Sequence, residues 1–205
     1  MTVVPDQSDT AAREGPRSRR FTHDEYMRMG EAGILTEDDP VELIHGQVVK
    51  MSPENSPHRI CIAKVNQLFV EALSETDCFV QPQSTLPLDA HNAPEPDLAV
   101  LRGTPDALME GELPVVLAVE VADSSLERDR DIKQSLYAAA GIPVYWIVNL
   151  QARTVEVYTE PEDGRYRERT TRGEGEAVSL PEASDATISV QALLPAADAD
   201  DSESD

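Results

Sequence analysis

Positive charge is what this chain has least of. Its 17 Lys and Arg face 39 Asp and Glu, a formal charge of −22 at pH 7. A protein that grips nucleic acid tightly carries a basic footprint, so the composition argues against strong, unassisted DNA binding. The tail from Ala196 holds only Asp198, Asp200, Asp201, Glu203 and Asp205, so the acidic excess runs through the whole chain. Such a surface also fits a high-salt cytoplasm, where carboxylates keep a protein hydrated. Long apolar runs are missing too: the longest, Pro114 to Val121, is far too short to span a bilayer. The polar first twenty residues lack the apolar stretch of a secretory signal. Cys61 and Cys78 have neither CxxC spacing nor a matching His cluster, and read as reduced thiols of a cytoplasmic protein. Aromatics are scarce, yet short runs of Val, Ile, Leu and Ala are plentiful. A chain of 205 residues suffices for one filled core and is short for two.

The expected organisation is a disordered lead-in over 1–20, one domain over 21–195 and a disordered acidic tail over 196–205. Thr22-His23-Asp24-Glu25 is a capping box, predicting a short helix from His23 to about Gly30. Val41-Glu42-Leu43-Ile44 and Gln47-Val48-Val49-Lys50-Met51 flank His45-Gly46, a hairpin signal. With Ser56 as cap and Pro57 at the first helical position, Ile60, Cys61, Val65, Leu68, Phe69 and Ala72 recur at helical spacing. Cys78 to Leu88 reads as a strand that Pro82 and Pro87 confine to an edge. Asp97 to Leu101 and Val115 to Ala122 are core strands. Ser124-Ser125-Leu126-Glu127 caps a helix running to Ala140 and stopped by Gly141. Ile142 to Leu150 is a strand, Thr154–Thr159 pairs with Arg165–Thr171, and a short helix covers Ser189 to Leu194. The sum is an α/β domain, a mixed sheet with a helix on each face.

One acid stands out. Val115, Val116, Leu117, Ala118, Val119 and Val121 form an apolar run typical of a strand covered on both faces, and Glu120 lies inside it. Burying an acid there is costly unless it is paired, hydrogen-bonded or metal-bound. Upstream, Pro96-Asp97 opens the apolar run Leu98-Ala99-Val100-Leu101. Asp97 and Glu120 on neighbouring strand ends, the backbone carbonyl of Val121 and a lysine two turns into the next helix, Lys133, suit a divalent-metal phosphodiesterase site. The oxygens bind the cation, and the ammonium steers water and offsets the charge that grows on phosphate.

These residues resemble the PD-(D/E)xK nuclease superfamily and, within it, the restriction-endonuclease-like branch called Uma-two. The resemblance rests on Glu42-Leu43-Ile44-His45-Gly46, Met51-Ser52-Pro53 with His58, and Pro96-Asp97-Leu98-Ala99-Val100. It continues through Val119 to Ser125, Asp129, Lys133 and Tyr137 to Trp146, so it covers Phe21 to about Pro195. It implies a restriction-endonuclease-like core with an added β-hairpin region. It also implies Mg²⁺ or Mn²⁺ held by Asp97, Glu120 and Val121, catalysis by Glu42, Asp97, Glu120 and Lys133, and DNA as substrate. Two positions depart from the pattern. Ala122 stands where the superfamily places its lysine, so the resemblance moves that role to Lys133, and His45 stands where related chains often carry an acid.

Plainer readings compete at each position. Asp97 could merely cap a turn after Pro96, and Asp129 and Lys133, four apart on a helix, suit an ordinary ion pair. Glu42 could lie exposed on its hairpin, and Tyr137, Tyr145 and Trp146 suit the core. His58, Arg59, Lys64, Arg128 and Arg130 are the candidates for phosphate contact, with weak, salt-dependent DNA binding expected. The alternatives to a DNA endonuclease are a non-catalytic nuclease-fold module for protein interaction or oligomerisation, such as a homodimer, and a metal-dependent hydrolase of a small phosphate ester. No membrane partner is expected.

Overall fold

The computed structural model describes residues 18–36, 38–183 and 186–196. The expected disorder of the lead-in and tail therefore falls almost wholly outside the described residues. Helix α1 (His23–Glu31) opens as its sequence dictates. The Thr22 hydroxyl accepts from the Glu25 N–H, and the Glu25 carboxylate accepts from the Thr22 N–H. Strands β1 (Val41–Ile44) and β2 (Gln47–Lys50) form the expected hairpin, a two-stranded sheet of its own, with His45 and Gly46 both at positive φ in the turn. Helix α2 (Ser56–Ala72) starts one residue earlier than its proline suggests: Asn55, not Ser56, is the cap, and its side chain accepts from the His58 N–H.

The central sheet has six strands in the order β3-β4-β5-β6-β7-β8. They are β3 (Cys78–Pro82), β4 (Leu98–Arg102), β5 (Val115–Ala122), β6 (Val144–Asn149), β7 (Thr154–Glu162) and β8 (Arg165–Gly173). Strand β3 is an edge, as its prolines require, and ends at Pro82 rather than Leu88. Among the described residues only β5 and β6 pair in parallel, which demands a crossover. That crossover is α3 (Leu126–Arg128), a π-helical segment (Asp129–Lys133) and α4 (Gln134–Ala139). A small hairpin of β9 (Ala177–Ser179) and β10 (Thr187–Ser189), followed by α5 (Val190–Leu193), closes the domain. The hairpin's three-residue strands carry too little alternation to be read from sequence.

The two faces of β5 bury different things. Leu117, Val119 and Val121 pack with Cys61, Val65 and Phe69 of α2, with Trp146, and with Val190 and Leu193 of α5. Ala118 and Ala122 face Tyr137 and Ala138 of α4 and Tyr145, Ile147, Tyr158 and Tyr166. Strand alternation puts Glu120 on this second face. One member of this tyrosine layer, Tyr137, helps an acid to be tolerated there, since its hydroxyl donates to Glu120 where an aliphatic side chain would supply no donor.

The crossover differs from the single capped helix expected from Ser125 to Ala140. Ser125 sits at the N-cap but caps nothing with its side chain; its hydroxyl donates instead to Asp129 Oδ2 at 2.5 Å. The widened turn closes with the Gln134 N–H on the Asp129 carbonyl, a five-residue step. Widening brings Asp129 and Lys133 inward together, 1 % and 2 % exposed.

Candidate metal and catalytic site

A cavity of about 340 Å³ opens where β4, β5, the N-terminus of α2 and the π segment converge. Asp97, Glu120, Val121, Asp129 and Lys133 line it, together with Glu54, His58, Glu95, Ser125 and Arg128. Leu98 pairs with Val119 in the antiparallel ladder, so Asp97, one residue earlier, stands beside Glu120. Its carboxylate is anchored: Asp97 Oδ2 accepts from the Val121 N–H at 2.6 Å. In an extended strand a residue's N–H and C=O point to the same side, so the Val121 carbonyl also faces Asp97.

Lys133 is the electrostatic centre. Its Nζ lies 2.7 Å from Glu42 Oε2, 2.9 Å from Glu120 Oε1 and 3.3 Å from the Glu95 carbonyl. The ion pair that i,i+4 spacing suggested, with Asp129, gives way to pairing with Glu42 and Glu120. The Tyr137 hydroxyl donates to the same Glu120 Oε1 at 2.7 Å, so this core tyrosine also serves the site. Glu42 is buried rather than exposed and does not line the cavity. It stands behind Lys133, accepts from the Glu95 N–H at 3.2 Å, and leaves its Oε1 buried without a hydrogen-bond partner.

The other predicted bases divide. Arg128 lines the cavity and reaches Glu42 Oε1 at 3.6 Å and the Lys50 carbonyl at 3.4 Å. Arg59 is exposed on α2. Lys64 and Arg130 lie away from the cavity and tie the fold together: Lys64 donates to the Leu194 carbonyl at 2.6 Å, and Arg130 pairs with the buried Glu156. His58 Nε2 lies 3.3 Å from Asp97 Oδ2. Glu54 and Glu95 were not singled out from sequence, and Tyr137 was read as core alone. Its place at the site could have been seen, since it falls four residues after Lys133 and so on the same helical side.

Burial pushes the Glu120 carboxyl up to about 8 against the pull of Lys133, and the charges of Asp129 and Asp97 push the same way. Burial disfavours the Lys133 charge, but Glu120 and Glu42 hold it above its ordinary value. These shifts compete across one contact. With two carboxylates facing it the lysine keeps its proton, and the proton that moves near neutrality is the one on Glu120. Burial also raises Glu95 and Asp129, and the Asp97 contact raises His58 despite its burial. All four groups hold protons to higher pH when folded, so the unfolded chain releases them first. Stability of the metal-free protein should therefore fall as pH rises from about 4.5 to about 8. Urea melts across that window check this, and a slope of opposite sign would contradict the shifts.

The donor set suits a divalent cation: carboxylates anchored at a strand end, a backbone carbonyl turned to the same side, and five lining acids, Glu54, Glu95, Asp97, Glu120 and Asp129, against three lining bases, His58, Arg128 and Lys133. A second acidic cluster, Asp77, Cys78 and Glu182, already has its cation in Arg102, 2.7 Å from Glu182.

A mixed sheet with an acid–acid–lysine constellation at its rim defines a restriction-endonuclease-like nuclease fold. The chain belongs to the Uma2 (Uma-two) family, described as "Putative restriction endonuclease", whose pattern matches residues 23–192. Among solved structures it is similar to one described as a "putative nuclease belonging to DUF820" from Anabaena variabilis ATCC 29413. The TM-score is 0.66 at 17 % identity, over 84 % of this chain and 97 % of that one. No curated protein matches the chain. Among the described residues no helix is long and apolar enough to cross a membrane.

Proposed function

We propose that this protein is a divalent-metal-dependent nuclease that hydrolyses phosphodiesters of DNA in the cytoplasm. The observation that carries this reading is the buried Lys133 ammonium 2.9 Å from Glu120, in one cavity with Asp97. Asp97, Glu120 and the Val121 carbonyl would hold Mg²⁺ or Mn²⁺. When bound, such a cation polarises the phosphate and makes water more acidic. Lys133 orients the attacking water and offsets the negative charge that develops on the phosphoryl oxygens. Glu42 fixes the Lys133 ammonium in place, and Tyr137 fixes Glu120. Arg128, at the cavity wall, is placed to meet the phosphate of the strand being cut.

Purified protein incubated with plasmid, single-stranded DNA, RNA and nucleotides, with and without Mg²⁺ or Mn²⁺, tests the proposal. We expect metal-dependent DNA cleavage that Asp97→Asn lowers ~10²–10³-fold, the scale of losing a principal transition-state contact. The charge of −22 favours one second reading, a hydrolase of small phosphate esters that needs no basic groove. Turnover of nucleotides without DNA cleavage would select it. No metal-dependent turnover of any substrate would leave a non-catalytic module, for which a homodimer in solution would be the natural form.

A further inference from the structure

Helix α2 begins with a group that the acid–acid–lysine reading leaves unused. Its cap, Asn55, accepts from the His58 N–H and donates to Asp123 at the end of β5, so the first turn is fastened to the sheet rim. That fastening turns His58 Nε2 towards Asp97 Oδ2 at 3.3 Å. Glu54, held by the Gln83 amide, sits beside them. One ligand atom from each of Glu54, His58 and Asp97 lies within 4.8 Å of the other two. Atoms bound to a common transition-metal ion stand about 3–4.4 Å apart at bond lengths near 2.0–2.2 Å, so small side-chain adjustments close the set. Asp97 belongs to this triad and to the Asp97–Glu120 pair alike, and all four side chains line one cavity.

We propose that His58 Nε2, with Glu54 and Asp97, is a ligand of the cation at this site, and that the site therefore prefers manganese to magnesium. The inference rests on the nuclease reading only for the presence of a cation at Asp97. An all-oxygen site suits magnesium, which gives up its waters reluctantly and demands near-octahedral oxygen geometry. An imidazole nitrogen shifts the balance towards softer first-row ions. Glu54 and Asp97 supply the charge and His58 supplies the selectivity.

The test uses the untagged, chelator-stripped full chain and Mn²⁺ alone. Pulsed electron paramagnetic resonance of the bound Mn²⁺ should show nitrogen coupling, and His58→Gln should remove it. Mn²⁺ affinity should weaken at least ~10-fold in the variant, the lower end for disturbing a metal site, with a smaller loss for Mg²⁺ measured by competition. If His58→Gln fails to fold, the chain's other histidines, His23, His45 and His91, are replaced one at a time. Coupling that survives each replacement assigns it to His58. No Mn²⁺ binding, binding without nitrogen coupling, or coupling retained in His58→Gln overturns the proposal. Cleavage is scored separately. Nitrogen coupling without DNA cleavage sinks the nuclease reading alone, and cleavage without coupling sinks this one alone.

Discussion

Replacing Lys133 by Met lowers the thermal midpoint by ~10–15 °C, corresponding to a loss of ~3–5 kcal/mol for breaking a buried ion pair from one side in a domain of this size. Met matches the length of the lysine stem, so packing is nearly kept and the effect is electrostatic. Lys133 is 2 % exposed and its Nζ lies between Glu42 and Glu120. Removing it leaves two buried acidic side chains, Glu42 and Glu120, without the ammonium they share. Glu42 keeps the Glu95 N–H and the more distant Arg128, but its Oε1 has no hydrogen-bond partner to fall back on. Two recoveries should follow. Adding Glu42→Gln restores part of the loss, because one of the stranded charges is gone. Lowering the pH restores part as well, because the Glu120 carboxyl then holds its proton. Calorimetry of the single and double variants at two pH values checks this. A loss under 1 kcal/mol in Lys133→Met would mean that the pair is not what holds this rim together.

Glu120→Gln behaves in the opposite way: cleavage is abolished while the metal-free fold stays as stable or gains stability. Gln keeps an oxygen that can accept from Lys133 and Tyr137 and differs little in volume. The raised Glu120 carboxyl shows that folding disfavours its charge, with Asp97 and Asp129 pushing in that direction; the amide removes the charge. Divalent cation then separates the roles. At 100 times its Kd, Mg²⁺ or Mn²⁺ should stabilise the wild type by ~2.7 kcal/mol by mass action, and the variant by clearly less. Equal shifts in both would remove Glu120 from the ligand set. A drop of ~1–3 kcal/mol in the metal-free variant would instead make Glu120 a structural acceptor whose hydrogen bonds are what the protein needs.

The strands were legible because apolar runs and turn residues specify them locally: β5 stands as Val115–Ala122 in both readings. The acids were legible for the same reason, since an acid inside an apolar run is conspicuous. What escaped depends on long-range geometry. Glu42 lies on a four-residue strand, and nothing local reveals that it is sealed behind a lysine ninety-one positions away. Arg130 and Lys64 look like groove residues in one dimension, yet the fold turns them to Glu156 and to Leu194. The Asn55 cap was missed because Ser56-Pro57 offers an equally good local signal one residue later. The widened turn in the crossover has no propensity signature, because its cause is the demand that Asp129 and Lys133 face inward together.

That turn holds one residue of slack in the chain. A regular α-helix advances about 100° per residue, so deleting Ile132 would let the crossover close as an ordinary helix while swinging everything before it out of phase. Asp129 would turn away, its carbonyl would leave the Tyr145 hydroxyl that donates to it at 3.2 Å, and Lys133 could stay in place only if α3 rotated off the rim. The locally more regular helix is thus the one that loses the site. At the exposed position of this segment chain length, counted residue by residue, is under stricter constraint than chemical identity: substitutions at Asp131 should be tolerated freely, and a single-codon deletion beside it should not.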